Sequence, residues 1–200
     1  IYARDGFGSK NLVFDGTEGV HKLFVGNNEK RPYRFAEEVV YETFFTDGYV
    51  YKIVDGNAHI CGVDPTTDFP DELTLPEKLD DYTVTAIEEE ALSMSDIKNL
   101  TVPDSVTYLG DGAFSDFYTL EEITLGKGIT ILPASVFTDS FNLKKVNLPV
   151  TITKFGTLTK KIAGIESESN AGWQFAGCKS LEEITLPSEL EVLPAYVFYG

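Results

Sequence analysis

The chain is short of the residues that build metal centres and disulfide frameworks. It has two cysteines, Cys61 and Cys178, and two histidines, His21 and His59. Two thiols so far apart do not make a disulfide framework, and no Cys or His pair has the spacing of a structural zinc site. The sequence therefore predicts no metal and no cofactor. We expect both cysteines to be small, buried, apolar residues.

Basic residues are also scarce. Sixteen Lys and Arg stand against 32 Asp and Glu, and residues 49–200 alone hold 24 acids and ten bases. A net charge of −16 repels phosphate backbones and anionic lipids, so nucleic acid and membrane surfaces are poor candidate partners. No apolar run approaches the roughly 18 residues that a membrane span needs, so we expect no membrane insertion.

Motifs of several enzyme and ion-binding classes do not occur in the sequence. It has no G-x-S-x-G nucleophile motif and no D-x-D-x-D-G calcium loop. Gly6–Gly8 lacks the remaining glycines of a phosphate-binding loop. His59 and Cys61 fall in one predicted strand, where packing is a simpler explanation than a nucleophile and its base. The sequence gives no direct indication of catalysis.

What the chain does contain is an internal repeat. The six residues Leu120–Leu125 (LEEITL) recur as Leu181–Leu186. Both belong to a series of apolar pairs that bracket a Thr or Asn, in which successive pairs are 27, 23, 23 and 38 residues apart. The pairs are Leu73/Leu75, Leu100/Val102, Ile123/Leu125, Val146/Leu148 and Ile184/Leu186. Self-similarity at such a period is typical of stacked repeat architectures.

Two further positions repeat in the same register. Each apolar pair is followed by Pro or Gly, which ends a strand. Further along, four of the five units have a Phe at the same repeat position, which we call the Phe column. The Phe residues are Phe114, Phe137, Phe175 and Phe198, with Leu92 in the first, weaker copy. A 23-residue unit cannot bury its own apolar face, whereas stacked units can. The pattern therefore predicts a β-rich solenoid of about five rungs with short parallel strands and an interior Phe column.

Two stretches of the repeat carry a family likeness, LTVPDSVTYLGDGAFSDFYTL (Leu100–Leu120) and ITLPSELEVLPAYVFYG (Ile184–Gly200). They resemble the BspA-like leucine-rich repeats, whose pattern is L-x-x-I-x-I-P-x-x-V-x-x-I-G-x-x-A-F-x-x-C-x-x-L. The family's Cys column reads Ser95, Phe117, Ser140 and Cys178 here, so one copy keeps the thiol. The resemblance implies a leucine-rich-repeat solenoid in a secreted or cell-surface bacterial protein that binds macromolecules, often as an adhesin. It implies no catalytic residues.

The segments before the repeat are predicted to cap it or to form a small appended domain. We place that part at residues 1–48 and the solenoid at 49–200. Asn11–Val25 indicates a hairpin, and Tyr33–Phe45 after Pro32 favours a helix, although its β-branched and aromatic content leaves strand open. Tyr49–Val63 contains a D-G-N turn between two alternating runs and predicts a capping hairpin. The last long step arises from an inserted loop at 157–173.

Paired carboxylates raise the alternative of a glycan-active enzyme, with Glu121-Glu122 and Glu182-Glu183 as acid and base. In repeat register, however, these acids alternate with Lys98, Lys144 and Lys145 from one rung to the next. Opposite charges on adjacent strands favour that register. A cross-strand charge pattern is therefore the simpler interpretation.

Strand alternation turns a second set of residues outward, and we name this set the polar strip. It is Glu72, Thr74, Asn99, Thr101, Glu122, Thr124, Lys145, Asn147, Glu183 and Thr185. A polar, hydroxyl-lined sheet face is where a solenoid usually meets a partner, and a solvated face is the alternative. The inserted loop is the other candidate, with Lys160, Lys161 and Trp173. For Trp173 a buried anchor is the favoured role, and a binding aromatic is the alternative.

These observations predict a binding module for a protein or glycan, acting outside a bacterial cell without catalysis. The alternatives are a structural spacer that displays another domain and, third, an enzyme. Gly200 falls partway through a rung, so we expect a fragment of a longer protein, or a weak end-to-end dimer, rather than a capped end.

Overall fold

The computed structural model describes residues 42–92, 96–162 and 165–200, with the backbone of 159–162 and 165–168. The chain divides into two compact units after Val40, and the second is described here. The predicted hairpin Asn11–Val25 and most of the predicted helix Tyr33–Phe45 lie outside the described residues. At the end of this segment the helix prediction is wrong and the strand alternative holds, because Thr43–Thr46 forms a strand. In that strand Phe44 packs on the core and Phe45 is exposed.

The described residues form strands and turns, with no helix among them. The strands are β1 (Thr43–Thr46), β2 (Tyr49–Val54), β3 (Asn57–Val63), β4 (Glu72–Thr74), β5 (Lys78–Leu79), β6 (Tyr82–Ile87), β7 (Asn99–Thr101), β8 (Tyr108–Leu109), β9 (Glu122–Thr124), β10 (Ile131–Leu132), β11 (Lys145–Asn147), β12 (Lys154–Phe155), β13 (Thr159–Ile162), β14 (Ile165–Glu168) and β15 (Glu183–Ile184).

A five-stranded parallel sheet, in the order β15-β11-β9-β7-β4, receives one strand from each rung. Its register pairs Leu73 with Leu100, Leu100 with Ile123, and Ile123 with Val146, as the repeat predicts. The residue that follows each strand also bonds to the next rung: the N–H of Leu75, for example, donates to the carbonyl of Thr101 at 2.9 Å. The predicted solenoid with short parallel strands is confirmed.

A second sheet joins the solenoid to the predicted capping hairpin, in the order β1-β2-β3-β6-β5 with β8 on β6. Hairpin β2–β3 turns at Asp55 and Gly56, whose φ angles of 50° and 77° are those of a two-residue turn with both residues left-handed. β3 then pairs in parallel with β6 and buries Ile60. This hairpin is confirmed, and it covers the first rung.

Three members of the Phe column, Phe114, Phe137 and Phe175, lie in the interior as predicted, whereas Phe198 stacks on Phe175 and is 48% exposed. Ring centroids of Phe114 and Phe137 are 5.7 Å apart, those of Phe137 and Phe175 are 5.4 Å apart, and the planes are within 18° of parallel. Offset stacks of this kind add to the hydrophobic burial of each ring. The column therefore connects consecutive rungs through their centre.

The inserted segment is a hairpin rather than an irregular loop. Strands β13 and β14 pair antiparallel, from Thr159 with Glu168 to Ile162 with Ile165. Gln174 lies at the base of this hairpin, at the repeat position that Val136 occupies in the preceding rung. The Gln174 side chain is fully buried. Its amide Nε2 donates to the carbonyl of Gly156 at 2.6 Å, which holds the two ends of the insertion together.

Candidate functional site

The outer face of the five-stranded sheet is polar because each three-residue strand alternates. Leu100, Ile123 and Val146 are buried at the middle of their strands, while the residues on either side are exposed or half-buried. The register places Glu72 beside Asn99 and continues to Glu122, Lys145 and Glu183. A second row holds Thr74, Thr101, Thr124 and Asn147. The polar strip is therefore two adjoining rows on one sheet.

Ion pairs run across the strands beside and within this strip. Nζ of Lys98 lies 2.6 Å from Asp71, Nζ of Lys144 lies 2.6 Å from Glu121, and Nζ of Lys145 lies 2.7 Å from Glu122. The predicted alternation of charge thus produces real contacts. Each exposed pair contributes little to stability, about 0–1 kcal/mol, but the contacts order the side chains that a partner would meet.

Glu122 is the most heavily bonded acid of the strip. Its Oε1 accepts hydrogen bonds from Nζ of Lys145 at 2.7 Å and from Nδ2 of Asn147 at 2.8 Å. These bonds lower the pKa of Glu122 below its ordinary value, Lys145 contributing most. A general acid of a glycosidase needs a raised pKa. The direction of this shift does not favour Glu122 as a general acid.

Two shallow grooves lie along the strip. One, of about 460 Å³, is lined by Asn99, Glu121, Glu122, Lys144, Lys145, Val146, Asn147, Glu182, Glu183 and Thr185. The other, of about 410 Å³, is lined by Glu72, Leu73, Thr74, Asn99, Leu100, Thr101, Glu122 and Thr124. Both include Asn99 and Glu122. The grooves thus cover most of the predicted strip.

Trp173 sits where the insertion rejoins its rung, at a position whose backbone is left-handed. The residues two before the Phe column in five successive rungs have φ between 55° and 64°, namely Glu90, Gly112, Ser135, Trp173 and Tyr196. A left-handed conformation costs an L-residue roughly 1–2 kcal/mol, and a bulky side chain there is an outlier. The last two members of this column nevertheless carry large aromatic rings.

These rings meet on the surface together with Tyr199, and we call Trp173, Tyr196 and Tyr199 the aromatic cluster. Trp173 stacks on Tyr196 with centroids 4.9 Å apart, and Tyr199 meets Trp173 edge-on at 5.2 Å. Trp173 is half-buried, and its role as a buried anchor or a binding aromatic stays a prediction. Sequence reasoning missed the two tyrosines, although their spacing from Phe198 places Tyr196 in the column of Trp173.

The two lysines of the predicted binding loop are placed by their backbone. Lys160 pairs with Ser167 and Lys161 with Glu166 across the hairpin. Their side chains lie outside the description. Their role in binding therefore stays a prediction.

Both cysteines are half-buried, so they are less enclosed than the buried apolar residues that the sequence predicts. Sγ of Cys178 donates to the carbonyl of Phe137 at 3.1 Å, and burial raises its pKa to about 12. Burial also raises the pKa of Cys61, whose Sγ lies 3.5 Å from the carbonyl of Val50. A thiol with a raised pKa is a poor nucleophile. Nδ1 of the nearby His59 lies 2.8 Å from Glu88, in a structural contact.

The described residues contain no group of three or more His, Cys, Asp or Glu placed to hold a metal ion. Within the same part of the chain, no helix is long and apolar enough to cross a membrane. The features present are therefore a repeat scaffold, a polar strip and an aromatic cluster.

Stacked 23-residue units with one parallel strand each define a leucine-rich-repeat solenoid. The family model of the BspA type leucine rich repeat region matches residues 71–159 and 168–200 in six copies, and the chain belongs to this family. The gap between the matched ranges falls in hairpin β13–β14. No curated protein matches the chain.

Solved bacterial structures share the fold. A leucine-rich repeat protein from Bacteroides capillosus is 26% identical, with a TM-score of 0.52, over 55% of this chain and 84% of that one. One from Bacteroides ovatus is 20% identical with a TM-score of 0.53, over 74% of this chain. The match spans 42% of the length of the Bacteroides ovatus protein.

Proposed function

We propose that the protein is a non-catalytic binding module of a secreted or cell-surface bacterial protein, and that it engages a protein or glycan through the polar strip. Membership of a leucine-rich-repeat family supports a repeat module for binding. An adhesin-like role, an extracellular location and a monomer or weak end-to-end dimer are parts of the same proposal.

The observation that carries the proposal is the pair of grooves over rows of hydrogen-bonding groups in strict register. The strip offers Thr hydroxyls, Asn amides and carboxylates on adjacent strands about 4.8 Å apart, so a partner meets a periodic array. Asn147 shows how such groups are held, because its Nδ2 also donates to Oγ1 of Thr124 at 2.9 Å. Groups positioned by a rigid sheet lose little entropy on binding.

A binding panel with matched variants tests this function. The chain is screened against arrayed glycans and extracellular host proteins, and any ligand is then tested on the Thr101→Tyr, Thr124→Tyr double variant. We expect at least tenfold weaker binding, because two rings would fill the grooves. The control is Thr107→Tyr with Thr130→Tyr, two exposed threonines of the other face. Unchanged binding by the first variant would exclude the strip.

The same screen separates the other classes. A chain that binds nothing on the panel would support a structural spacer. Hydrolysis of a model glycoside that is lost in Glu122→Gln or Glu183→Gln would support an enzyme. Sedimentation over a concentration series measures the predicted monomer or weak dimer.

A further inference from the structure

We propose that the aromatic cluster of Trp173, Tyr196 and Tyr199 is a binding site for neutral carbohydrate, on which a pyranose ring stacks against an aromatic face. The cluster shares no residue with the polar strip. The proposal therefore holds whether or not the strip binds a partner.

The rings of the cluster hold one another in a fixed arrangement. Trp173 and Tyr196 stack with planes 16° apart, and Tyr199 stands nearly perpendicular to both, at 69° and 80°. Trp173, which lies one rung before the last, is half-buried and keeps part of its surface accessible. Accessible rings whose orientations are set before a ligand arrives are suited to recognition, because little rotamer entropy is lost on binding.

One face of Trp173 is turned toward small residues. Tyr196, its counterpart in the next rung, covers the opposite face at 4.9 Å, close to the spacing between rungs. The counterpart in the preceding rung is Ser135, whose N–H donates to the carbonyl of Gly172 at 2.8 Å, and the rung before that has Gly112. A hydroxymethyl group and a hydrogen atom are too small to cover an indole. Beside Trp173 the column thus forms a shelf.

The left-handed backbone gives a second reason to assign a role to these rings. Trp173 and Tyr196 have φ of 57° and 62°, where bulky side chains are outliers. The same position is Gly112 and Ser135 in earlier rungs, so the repeat itself does not require an aromatic residue there. Unfavourable backbone conformations that persist are concentrated at functional sites.

The size of the cluster favours a sugar over a protein surface. A fully buried aromatic side chain covers roughly 150–250 Å², and here each ring already covers part of the others. The free area is therefore well below the roughly 800 Å² per partner of a stable protein interface. One or two sugar rings fit that area.

The charge of the surroundings selects neutral sugars. The chain carries −16, and Asp111, two rungs before Trp173, accepts from the N–H of Ala134, next to Ser135, at 3.1 Å. Carboxylates and the Ser135 hydroxyl can bond sugar hydroxyl groups, whereas sulfated or sialylated chains would be repelled. An apolar face with a few polar groups at its rim is the usual form of a small-ligand site.

Trp173 is the only tryptophan, so its fluorescence reports this site alone. The full 200-residue chain is titrated with hexasaccharides of β-1,4-linked glucose, mannose and N-acetylglucosamine. We expect a saturable change of emission with at least one of them, at about 1 mM or below, and none with a heparin-derived hexasaccharide or sialyllactose. No response to any of the three neutral sugars would overturn the proposal.

Variants that keep the reporter complete the test. Tyr196→Ser and Tyr199→Ala should weaken binding at least fivefold, and Tyr118→Ala, an exposed tyrosine outside the cluster, should leave it within twofold. Ser135→Tyr, measured by calorimetry, fills the shelf and should also weaken binding if the tyrosine variants prove unfolded by circular dichroism. Equal affinity in the folded cluster variants, or a response confined to a basic peptide such as hexalysine, would overturn the assignment. The Thr101→Tyr, Thr124→Tyr variant should titrate unchanged, which separates this site from the strip.

Discussion

The hydroxyl of Ser140 donates a 2.9 Å hydrogen bond to the backbone carbonyl of Phe114 in the preceding rung. Sγ of Cys178 makes the same contact with the carbonyl of Phe137 one rung later. Both donors stand in the column where the family pattern has Cys. In these two rungs the column therefore supplies a hydrogen bond to the Phe carbonyl of the rung before, inside the solenoid.

The first prediction concerns this donor. Ser140 is fully buried, so Ser140→Ala leaves the Phe114 carbonyl without its partner, and we expect the free energy of unfolding to fall by about 1–3 kcal/mol. Ser140→Cys, which reproduces the contact of Cys178, should cost less than Ser140→Ala. Urea denaturation of the three proteins measures this order. If Ser140→Cys proved the more damaging of the two, the donor role would be wrong.

A second prediction concerns the reactivity of Cys178. Its pKa is raised from 9.0 to about 12, so at pH 8 the thiolate fraction should be about 1000-fold lower in the folded than in the unfolded chain. In a Cys61→Ser background, iodoacetamide should label Cys178 at least tenfold more slowly without urea than with it, because the loss of thiolate outweighs the greater nucleophilicity of a more basic thiolate. The raised pKa also stabilises the fold below pH 9, and that contribution should be lost as the pH rises through 12. Similar labelling rates in both states would contradict this burial.

The third prediction tests the Phe column. Phe137 is fully buried between two stacked rings, and Phe137→Ala should lower the free energy of unfolding by about 3–5 kcal/mol. Phe137→Leu should cost less, since Leu92 occupies this column in the first rung. The matched control is Phe141→Ala, because Phe141 is 38% exposed and its ring contacts the exposed Tyr118 and the ammonium of Lys179. If Phe141→Ala lowered the free energy of unfolding as much as Phe137→Ala, the stacked Phe column would not be a particular source of stability.

A fourth prediction concerns the junction of the capping hairpin with the first rung. The hydroxyl of the buried Tyr51 donates to Asp80 at 2.6 Å, and this bond, with burial, raises the pKa of Tyr51 to about 12. Tyr51→Phe should cost about 1.5–3 kcal/mol at pH 7, as for a hydrogen bond to a charged group.

The pH dependence follows from the sign of that shift. A raised pKa favours protonated Tyr51 in the folded state, so its contribution is complete below pH 10 and is lost as the pH rises through 12. The difference between wild type and Tyr51→Phe should therefore shrink over that range in thermal unfolding. Tyr82→Phe serves as a control, and a difference that persists above pH 12 would exclude the assigned bond.

The fifth prediction applies a double-mutant cycle to Glu122 and Lys145. With Glu122→Gln and Lys145→Gln, the coupling free energy should be about 0.2–1 kcal/mol at low salt and smaller in 1 M NaCl. The lowered pKa of Glu122 means that its contribution is present above pH 4.5 and lost as the pH falls through the folded value. A coupling that survives at pH 2 would show that charge is not its origin.

Much of the fold could be predicted from the sequence. Steps of 23 residues between apolar pairs placed Leu100 beside Ile123 and Lys145 beside Glu122, because parallel strands from equivalent repeat positions must stack in register. The hairpin at Asp55-Gly56 followed from turn chemistry in the same way. Both features follow from the repeat period and from local turn residues, which can be read from one sequence.

Other features needed the folded structure. Hairpin β13–β14 was expected as a loop, because its Ser- and Gly-containing sequence has no clear alternation. The left-handed column could not be read from Trp173 or Tyr196, since neither residue type indicates positive φ. The contact of Gln174 with Gly156 closes an insertion of which the rest of the repeat has no copy.

The sequence by itself determined the stacked solenoid, its interior Phe column and the polar face of its sheet, since period and alternation depend only on the spacing of residue types along the chain. Tertiary structure decided which carbonyl Ser140 would bond, how Trp173 would meet Tyr196 and Tyr199, and how the insertion would close. Those contacts depend on backbone conformation and on the positions of residues that lie a rung or more apart. They exist only once the rungs are stacked at their actual spacing.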